Sequence, residues 1–355
     1  MRNIKIQVPA RVCFFGDHQD YLGLPVIAGT INKYLTLSAK PIDRPFFEIQ
    51  LPDLGQRLSI SIKNTVEEKP PADYFESGIR HLRKQGAQFS QGYAIDIHSE
   101  IPINAGLSSS SALVVSWLRF LCLVGNDFEP PQPKTLGHWA YEVEVLAFNQ
   151  PGGLMDQYTI AQGGLLFIDT DSQQSQALRV PPFDWVIAES GVAKKTLTVL
   201  AQAREKQQKA LAVVQEHQSQ FDLKKSTQND YDRYVHLLPP DLRPYWYATI
   251  HNYALTRQAF SSFQSKPDIY EIGQMMQAHQ HILANHIHNT PVALKKMLKS
   301  AQNAGALGSK IIGSGGGGCM VALVEAETRQ AVIDAFLVAG AQKAYPVQIT
   351  AATHG

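Results

Sequence analysis

The order in which strand-like and helix-like patterns follow each other limits the folds open to this chain. Alternating apolar and polar residues predict strands early in the chain, at residues 4–8, 34–39, 47–51 and 58–62, and further strands to about residue 188. From about residue 194 to 304, long stretches rich in Gln, Lys, Ala and Leu predict helices instead. Because strands and helices do not alternate regularly, the pattern favours an α+β fold over a repeating βαβ array.

The change of pattern near residue 190 also predicts how the chain divides. A length of 355 residues suggests two domains, at roughly 100–200 residues per domain. We place the first at residues 1–190 and the second at residues 191–355. A chain of this length is able to bury a sizeable core.

The charge balance argues against two classes of partner. The chain has 32 Lys and Arg against 31 Asp and Glu, a formal net charge of +1. Binding a nucleic-acid backbone or an anionic membrane surface needs clustered cations, which this balance does not favour. The most apolar predicted helix, residues 112–124, is interrupted by Arg119 and is too short to span a bilayer. We therefore expect no nucleic-acid partner and no membrane partner.

The cysteines and the N-terminal residues predict the compartment. The three cysteines, Cys13, Cys122 and Cys319, form no Cys-x-x-Cys pair, and an odd number does not suggest a disulfide framework. A reducing compartment is the simpler interpretation. The first six residues contain charges and no long apolar run, so they do not resemble a signal peptide. The predicted location is cytoplasmic.

A small-residue segment at 102–112 (Pro-Ile-Asn-Ala-Gly-Leu-Ser-Ser-Ser-Ser-Ala) lies between a predicted strand and an apolar predicted helix. Small residues let a ligand approach the backbone, and the amides at a helix start lack partners within the helix. Both features are typical of a phosphate-binding loop. The Gly-Lys-Ser/Thr of a Walker A motif is absent. On spacing alone, a serine N-cap beside a flexible turn is an equally open interpretation.

A second segment, residues 313–318 (Gly-Ser-Gly-Gly-Gly-Gly), lies between two apolar strand-like runs. Its glycine content exceeds what a hairpin turn needs, and glycine loses much conformational entropy on folding. The pattern therefore indicates a backbone that wraps around something. A loose hairpin loop is the alternative.

A third segment, residues 9–21, gathers polar side chains at the end of an apolar predicted strand. They are Arg11, Asp17, His18, Asp20 and Tyr21. Carboxylates together with an imidazole suit sugar hydroxyls, which both donate and accept hydrogen bonds. A polar turn with a capping aspartate is the alternative.

Taken in their order along the chain, the three segments resemble the GHMP kinase superfamily, which includes galactokinase, homoserine kinase, mevalonate kinase and phosphomevalonate kinase. Residues 16–21 (Gly-Asp-His-Gln-Asp-Tyr) resemble the galactokinase opening motif Gly-Glu-His-x-Asp-Tyr. Residues 106–110 resemble the family's phosphate loop, and residues 313–319 resemble its third motif in a form closer to mevalonate kinase. Further stretches similar to galactokinase are residues 152–157 and 190–193. The resemblance therefore extends from residue 9 to residue 319.

The resemblance implies catalytic roles for two residues. Asp156 is similar to the catalytic aspartate, which orients or deprotonates the attacking sugar hydroxyl. Arg11 is similar to the arginine beside it, which holds that aspartate ionised and steadies charge on the transferring phosphoryl group. Without the resemblance, a helix N-cap or turn residue after the Pro-Gly-Gly at 151–153 is the favoured interpretation of Asp156.

The resemblance also implies ATP and Mg²⁺ as cofactors. The loop residues that would hold the ATP phosphates are Gly106, Leu107, Ser108, Ser109, Ser110 and Ser111. Ser110 and Glu144 match the family's Mg²⁺ ligands, and a hydroxyl with a carboxylate suits this hard cation. Glu144 precedes Asp156 by 156 − 144 = 12 positions, as in the galactokinase pattern.

The implied sugar contacts are Asp17, His18, Asp20, Tyr21 and Gly153. Asp17 stands where the family has glutamate, so its carboxylate reaches one methylene less far. A lost contact or a water-mediated contact to galactose is the expected consequence.

For the fold, the resemblance implies an N-terminal half like ribosomal protein S5 domain 2, a ferredoxin-like C-terminal half and an active site between them. For the function, it implies ATP-dependent phosphorylation of a monosaccharide at the anomeric hydroxyl, which gives a sugar 1-phosphate. Galactose is the leading substrate, followed by a related hexose, pentose or uronic acid. The alternatives are a mevalonate-type kinase, favoured by the third motif, and a catalytically silent sugar-binding regulator. Arg11, Ser110, Glu144 and Asp156 argue against the regulator, which does not need all four.

Overall fold

The first half of the chain forms a twisted sheet. The computed structural model describes residues 3–63, 71–193 and 196–352. In these residues seven strands join in one sheet: β1 (Ile4–Phe15), β2 (Val26–Ile42), β3 (Phe46–Leu51), β4 (Gln56–Ser61), β5 (Gly92–Ser99), β6 (Leu165–Asp169) and β7 (Gln174–Leu178). The order is β4-β3-β5-β2-β6-β7, with β1 also paired to β2. All pairs are antiparallel except β3 with β5.

Four helices pack against this sheet and against each other: α1 (Tyr74–Lys84), α2 (Ser109–Val124), α3 (Pro133–Tyr141) and α4 (Met155–Gln162). The apolar helix α2 lies at the centre, where buried Trp117 has its ring 5.5 Å from that of Phe47 on β3. Aromatic pairs in this edge-to-face arrangement add to the stabilisation from burial. The N-terminus of α2 is thereby held at the edge of the sheet.

The second half contains a smaller antiparallel sheet. Its strands are β8 (Asp184–Glu189), β9 (Gly308–Ile311), β10 (Cys319–Val324) and β11 (Lys343–Val347), in the order β11-β8-β10-β9. The helices that contact this sheet are α8 (Ile269–Asn285), α9 (Val292–Asn303) and α10 (Arg329–Val338). The remaining helices are α5 (Thr196–His217), α6 (Asn229–Tyr234) and α7 (Arg243–Gln264). The predicted α+β architecture in two halves is confirmed.

The predicted division at residue 190 stays a prediction, and β8 bears on it. This strand precedes residue 190 but is hydrogen-bonded to β10 and β11 of the second sheet. We propose a division between β7 and β8, because each sheet is then formed by one continuous part of the chain, apart from the C-terminal residues.

The two halves share one core. The rings of Phe14 on β1 and Trp185 on β8 lie 4.6 Å apart. The chain after β11 returns to the first sheet, where the Thr350 amide donates to Thr30 O at 2.8 Å. These contacts hold the walls of the cleft between the halves in a fixed relation. In the described part of the chain, no helix is long and apolar enough to cross a membrane.

Candidate active site

A cavity of about 450 Å³ lies where the two halves meet. Most of the residues selected from the sequence line it: Arg11, Asp17, His18, Asp20, Gly106, Ser108, Ser109, Ser110, Glu144, Gly153 and Asp156. Three others lie behind the lining: Tyr21, Leu107 and Ser111. The fold therefore gathers segments that are up to 145 positions apart in the first half of the chain.

Arg11 and Asp156 form a bidentate ion pair at one wall of the cavity. Arg11 donates from Nε to Asp156 Oδ1 and from Nη2 to Oδ2, both at 2.7 Å. Its third donor, Nη1, reaches Gly106 O at 2.6 Å. Burial alone lowers the pKa of Arg11, but the Asp156 carboxylate outweighs it and the pKa is raised. This paired, charge-assisted geometry fixes the orientation of the aspartate.

Ser108 stands at the N-cap position of α2 but does not cap the helix with its side chain. It precedes α2 with a left-handed backbone (φ 59°), makes no side-chain capping bond and donates its hydroxyl to Asp156 Oδ2. A positive φ is unfavourable for a serine, so the surrounding contacts must impose it. Ser108 thus occupies the N-cap position, as one interpretation of the sequence had it, but its hydroxyl is donated to the aspartate and not to a backbone amide of the helix.

The N-terminus of α2 opens into the same cavity. The first amide bonded back to the loop is that of Ala112, which donates to Ser108 O at 3.0 Å. The amides of Ser109, Ser110 and Ser111 thus have no acceptor within the helix. These amides and the helix dipole together favour an anion beside Ser109 and Ser110, which line the cavity.

Glu144 faces the start of α2 from a π-helical turn, Glu142–Leu146, that follows α3. It is 4% exposed and accepts a hydrogen bond from Gln157 Nε2 at 2.6 Å. Burial raises the pKa of its carboxyl, against hydrogen bonds from Gln157, Ser110 and Ser111 that lower it. Its hydrogen-bond partners are neutral, so a cation in the cavity would stabilise the ionised carboxylate.

Ser110 and Glu144 would supply some, but not all, of the ligands of a magnesium ion. They supply a hydroxyl and a carboxylate oxygen, and Mg²⁺ in nucleotide sites usually takes one or two carboxylates with phosphate oxygens and waters. The described residues contain no group of three or more His, Cys, Asp or Glu able to hold a metal alone. A metal here would therefore depend on a bound phosphate.

Asp20 and Gly153 are packed directly together. Asp20 lies in a short helical turn, Asp20–Leu22, and its carboxylate borders the cavity. Burial and the nearby Asp156 raise the pKa of Asp20 to about 6. Gly153 packs against this carboxylate and also lines the cavity. Because the Asp20 carboxylate borders the cavity, it is able to form hydrogen bonds to a ligand there.

His18 and Tyr21 differ in their exposure to the cavity. His18 lines it, with Nδ1 3.1 Å from Tyr21 OH and Nε2 3.0 Å from Ser314 O. Tyr21 lies behind His18 and donates to Gln207 Oε1 of α5 at 2.6 Å. Tyr21 therefore supports His18 from behind.

The carboxylate of Asp17 points into the protein interior. Its Oδ1 accepts from the Gly313 amide and its Oδ2 accepts from Lys310 Nζ, both at 2.7 Å. The side chains of Asp17 and Lys310 have no exposed surface. Sequence reasoning missed Lys310, a single charge in the apolar run before the glycine segment, and that isolation was the available signal.

The glycine segment packs tightly against other backbone. Gly315, Gly317 and Gly318 all have positive φ, at 73°, 144° and 81°. An added Cβ at each would come within 2.6 Å of a backbone oxygen, those of Asn289, Val192 and Ala105 respectively. The segment connects the antiparallel strands β9 and β10 as a hairpin loop, but it is packed against neighbouring chain, including the phosphate loop, and is not loose.

A second, apolar cavity of about 180 Å³ adjoins the start of α2. Ser109, Ser110 and Asn104 border it, and its apolar walls come from Leu35, Leu51, Leu54, Ile97, Ile103 and Leu113. Sequence reasoning missed this cavity, because its residues come from four separate segments.

Comparison with known proteins agrees with this geometry. The model of the GHMP kinases N terminal domain matches residues 73–164, and the GHMP kinases C terminal model matches residues 258–340. The chain belongs to the GHMP kinase family and is a phosphotransferase.

The proteins similar to this chain include galactokinases and mevalonate kinases. The galactokinase of Pyrococcus furiosus is 25% identical over 342 residues, covering 95% of this chain and 93% of that one. The mevalonate kinase of Thermococcus gammatolerans is also 25% identical over 342 residues, covering 94% and 92%. The structure of Lactococcus lactis galactokinase complexed with galactose shares the fold, with a TM-score of 0.84 at 22% identity over 99% of this chain and 95% of that one. Methanococcus jannaschii mevalonate kinase gives a TM-score of 0.75 at 17% identity over 99% of each chain.

Proposed function

We propose that this protein transfers the γ-phosphoryl group of ATP to the anomeric hydroxyl of a neutral monosaccharide, which gives a sugar 1-phosphate and ADP. The observation that carries the proposal is the Arg11–Asp156 pair, which holds a carboxylate at the wall of a cavity beside a helix N-terminus. Galactose is the leading acceptor, because the chain is similar to galactokinases over nearly its whole length.

The nucleotide fits two adjoining features. Its phosphates suit the amides and hydroxyls of Ser109 and Ser110 at the start of α2. The adenine ring suits the apolar cavity lined by Leu35, Ile97 and Leu113, which borders the same two serines. Ser110 and Glu144 would hold Mg²⁺ against the phosphates, where the ion would neutralise their charge.

Asp156 is the proposed base. The acceptor oxygen forms a bond to the γ-phosphorus while the bond from that phosphorus to the β,γ-bridging oxygen breaks and ADP leaves. The hydroxyl proton passes to the Asp156 carboxylate, which Arg11 and Ser108 orient through three hydrogen bonds. Phosphoryl transfer depends mostly on alignment and charge stabilisation. The Asp156 carboxylate held by Arg11 would contribute to both.

The charges in the cavity favour a neutral acceptor. Among the described residues that line it, Arg11 is the one Lys or Arg, and its charge is already balanced by the bidentate pair with Asp156. Asp20 and Asp156 line the part of the cavity where the acceptor would bind. A carboxylate on mevalonate or on a uronic acid would meet these carboxylates without a spare cation, whereas sugar hydroxyls can donate to them.

A panel of acceptors tests the proposal. The protein is incubated with ATP, Mg²⁺ and galactose, other hexoses, pentoses, uronic acids or mevalonate, and ³¹P NMR identifies the phosphorylated position. The expected product is the 1-phosphate of a neutral sugar. Phosphorylation of mevalonate and of no sugar would overturn the proposal, and tight sugar binding without turnover would favour a silent regulator.

We also propose a cytoplasmic location. Two of the three cysteines, Cys13 and Cys122, are buried and form no disulfide bond. Unpaired cysteines are typical of reducing compartments.

A further inference from the structure

The loop that carries His18 and Asp20 does not hold its shape by itself. Gly16 and His18 both have positive φ, at 94° and 63°. This region is unfavourable for a histidine, and contacts from outside the loop must therefore maintain it. Because His18 lines the cavity and Asp20 follows two positions later, the loop's shape determines where both side chains meet an acceptor.

Several of those outside contacts come from the C-terminal half of the chain, in addition to the Thr170 hydroxyl, which donates to Asp20 O. Asn252 of α7 donates to Asp17 O at 2.8 Å, and the Gly313 amide donates to Asp17 Oδ1. Lys310 of β9 donates to Asp17 Oδ2 at 2.7 Å and to Cys13 O, at the end of β1, at 3.0 Å. One ammonium group thus joins the strand before the loop to the loop itself.

Lys310 is the cation that balances Asp17. Burial would raise the pKa of the Asp17 carboxyl, but Lys310 and its other neighbours outweigh burial and hold it below the usual value. His279 lies 3.8 Å from Asp17 Oδ2, yet burial lowers its pKa to about 3, so it stays neutral near pH 7. Removing the Lys310 charge would leave a buried carboxylate that must move or take up a proton.

We propose that Lys310 is a positioning residue for the acceptor, which acts through Asp17 to set the loop bearing His18 and Asp20. This inference rests on the proposed function, since it names the device that places the sugar contacts. It also gives Asp17 a role at the buried end of the loop, in place of a direct sugar contact. In the described residues, neither Asp17 nor Lys310 is hydrogen-bonded to Ser109 or Ser110 on the nucleotide side of the cavity; the link between the two sides runs through the glycine segment.

The test compares Lys310→Met with a double variant, Asp17→Asn with Lys310→Met, in which a neutral pair replaces the ion pair and no buried charge is left alone. A matched control is Val324→Ala, which removes buried side-chain volume from β10 of the same sheet without touching the loop. For each protein, KM for the sugar, KM for ATP, kcat and the melting temperature are measured.

The expected result is a KM for the sugar raised at least about tenfold in both Lys310 variants, with KM for ATP within about twofold of wild type. Val324→Ala should lower the melting temperature and leave both KM values unchanged. The inference is overturned if either Lys310 variant folds and keeps the wild-type KM for the sugar. It is also overturned if the KM for ATP rises together with the KM for the sugar in these variants. A wild-type protein that phosphorylates no sugar overturns the proposed function first, so the two failures are distinguishable.

Discussion

The carboxylate of Asp20 lies against the α-carbon of Gly153, so closely that an added Cβ at position 153 would come 2.1 Å from Asp20 Oδ2. No side chain fits between them. Gly153 therefore determines where Asp20 stands, and a larger residue must push the carboxylate away from its place in the cavity. The neighbouring Gly152 differs, because an added Cβ there meets no atom of the described residues within 4 Å.

Gly153→Ala is expected to lower kcat/KM for the sugar about 100-fold, because a displacement of about 1 Å at a binding group has effects of this size. Gly152→Ala is the matched control and should change kcat/KM much less. Steady-state kinetics with the sugar varied at saturating ATP measure both. Equal effects of the two substitutions would contradict the role of Gly153.

Asp156→Asn should reduce kcat by about 10²–10⁴-fold, because the amide cannot accept the hydroxyl proton. The ATP phosphates contact a different part of the cavity, so the dissociation constant for ATP should stay close to wild type. Turnover assays and isothermal titration calorimetry measure the two quantities. Unchanged turnover would remove Asp156 from the mechanism.

Glu144→Gln should raise the Mg²⁺ concentration needed for half-maximal activity at least about tenfold, since it removes a charged oxygen ligand. Glu142→Gln, in the same turn but 38% exposed and next to His81 and His138, is the matched control. Titration of ATP with and without Mg²⁺ gives a second measurement, in which the metal should strengthen ATP binding less in Glu144→Gln. A normal Mg²⁺ response in this variant would assign the metal to other residues.

Asp20 should make stability depend on pH. Its pKa is raised from 3.8 to about 6 in the folded protein, so its stabilising contribution is present below pH 3.8 and is lost as the pH rises through 6. Asp20→Asn should therefore be more stable than wild type at pH 7, by about 1–3 kcal/mol, and the difference should shrink towards pH 4. Urea unfolding at several pH values measures this, with the exposed Asp232→Asn as control. A difference that does not vary with pH would contradict the raised pKa.

Local periodicity predicted most elements where one face of a strand or helix is buried. The strand expected at 4–8 lies in β1 (Ile4–Phe15), and the strand expected at 47–51 is β3 (Phe46–Leu51). The first part of β2, from Val26 to Ile31, was not predicted, because it is buried on both faces and does not alternate. β7 (Gln174–Leu178) was also missed, since its polar residues offer no buried face to detect.

The order of segments and their motifs determined the family of this protein, its phosphate loop and most of the residues that line the cavity. Such motifs are local, and a sequence displays them directly. The resemblance also implied that Arg11 lies beside Asp156, 145 positions away. Only the tertiary structure decided that Lys310 meets Asp17, 293 positions apart. The direction of the Asp17 carboxylate depends on where β9 packs against the end of β1. Such contacts arise from packing between distant segments, and no pattern within either segment records them.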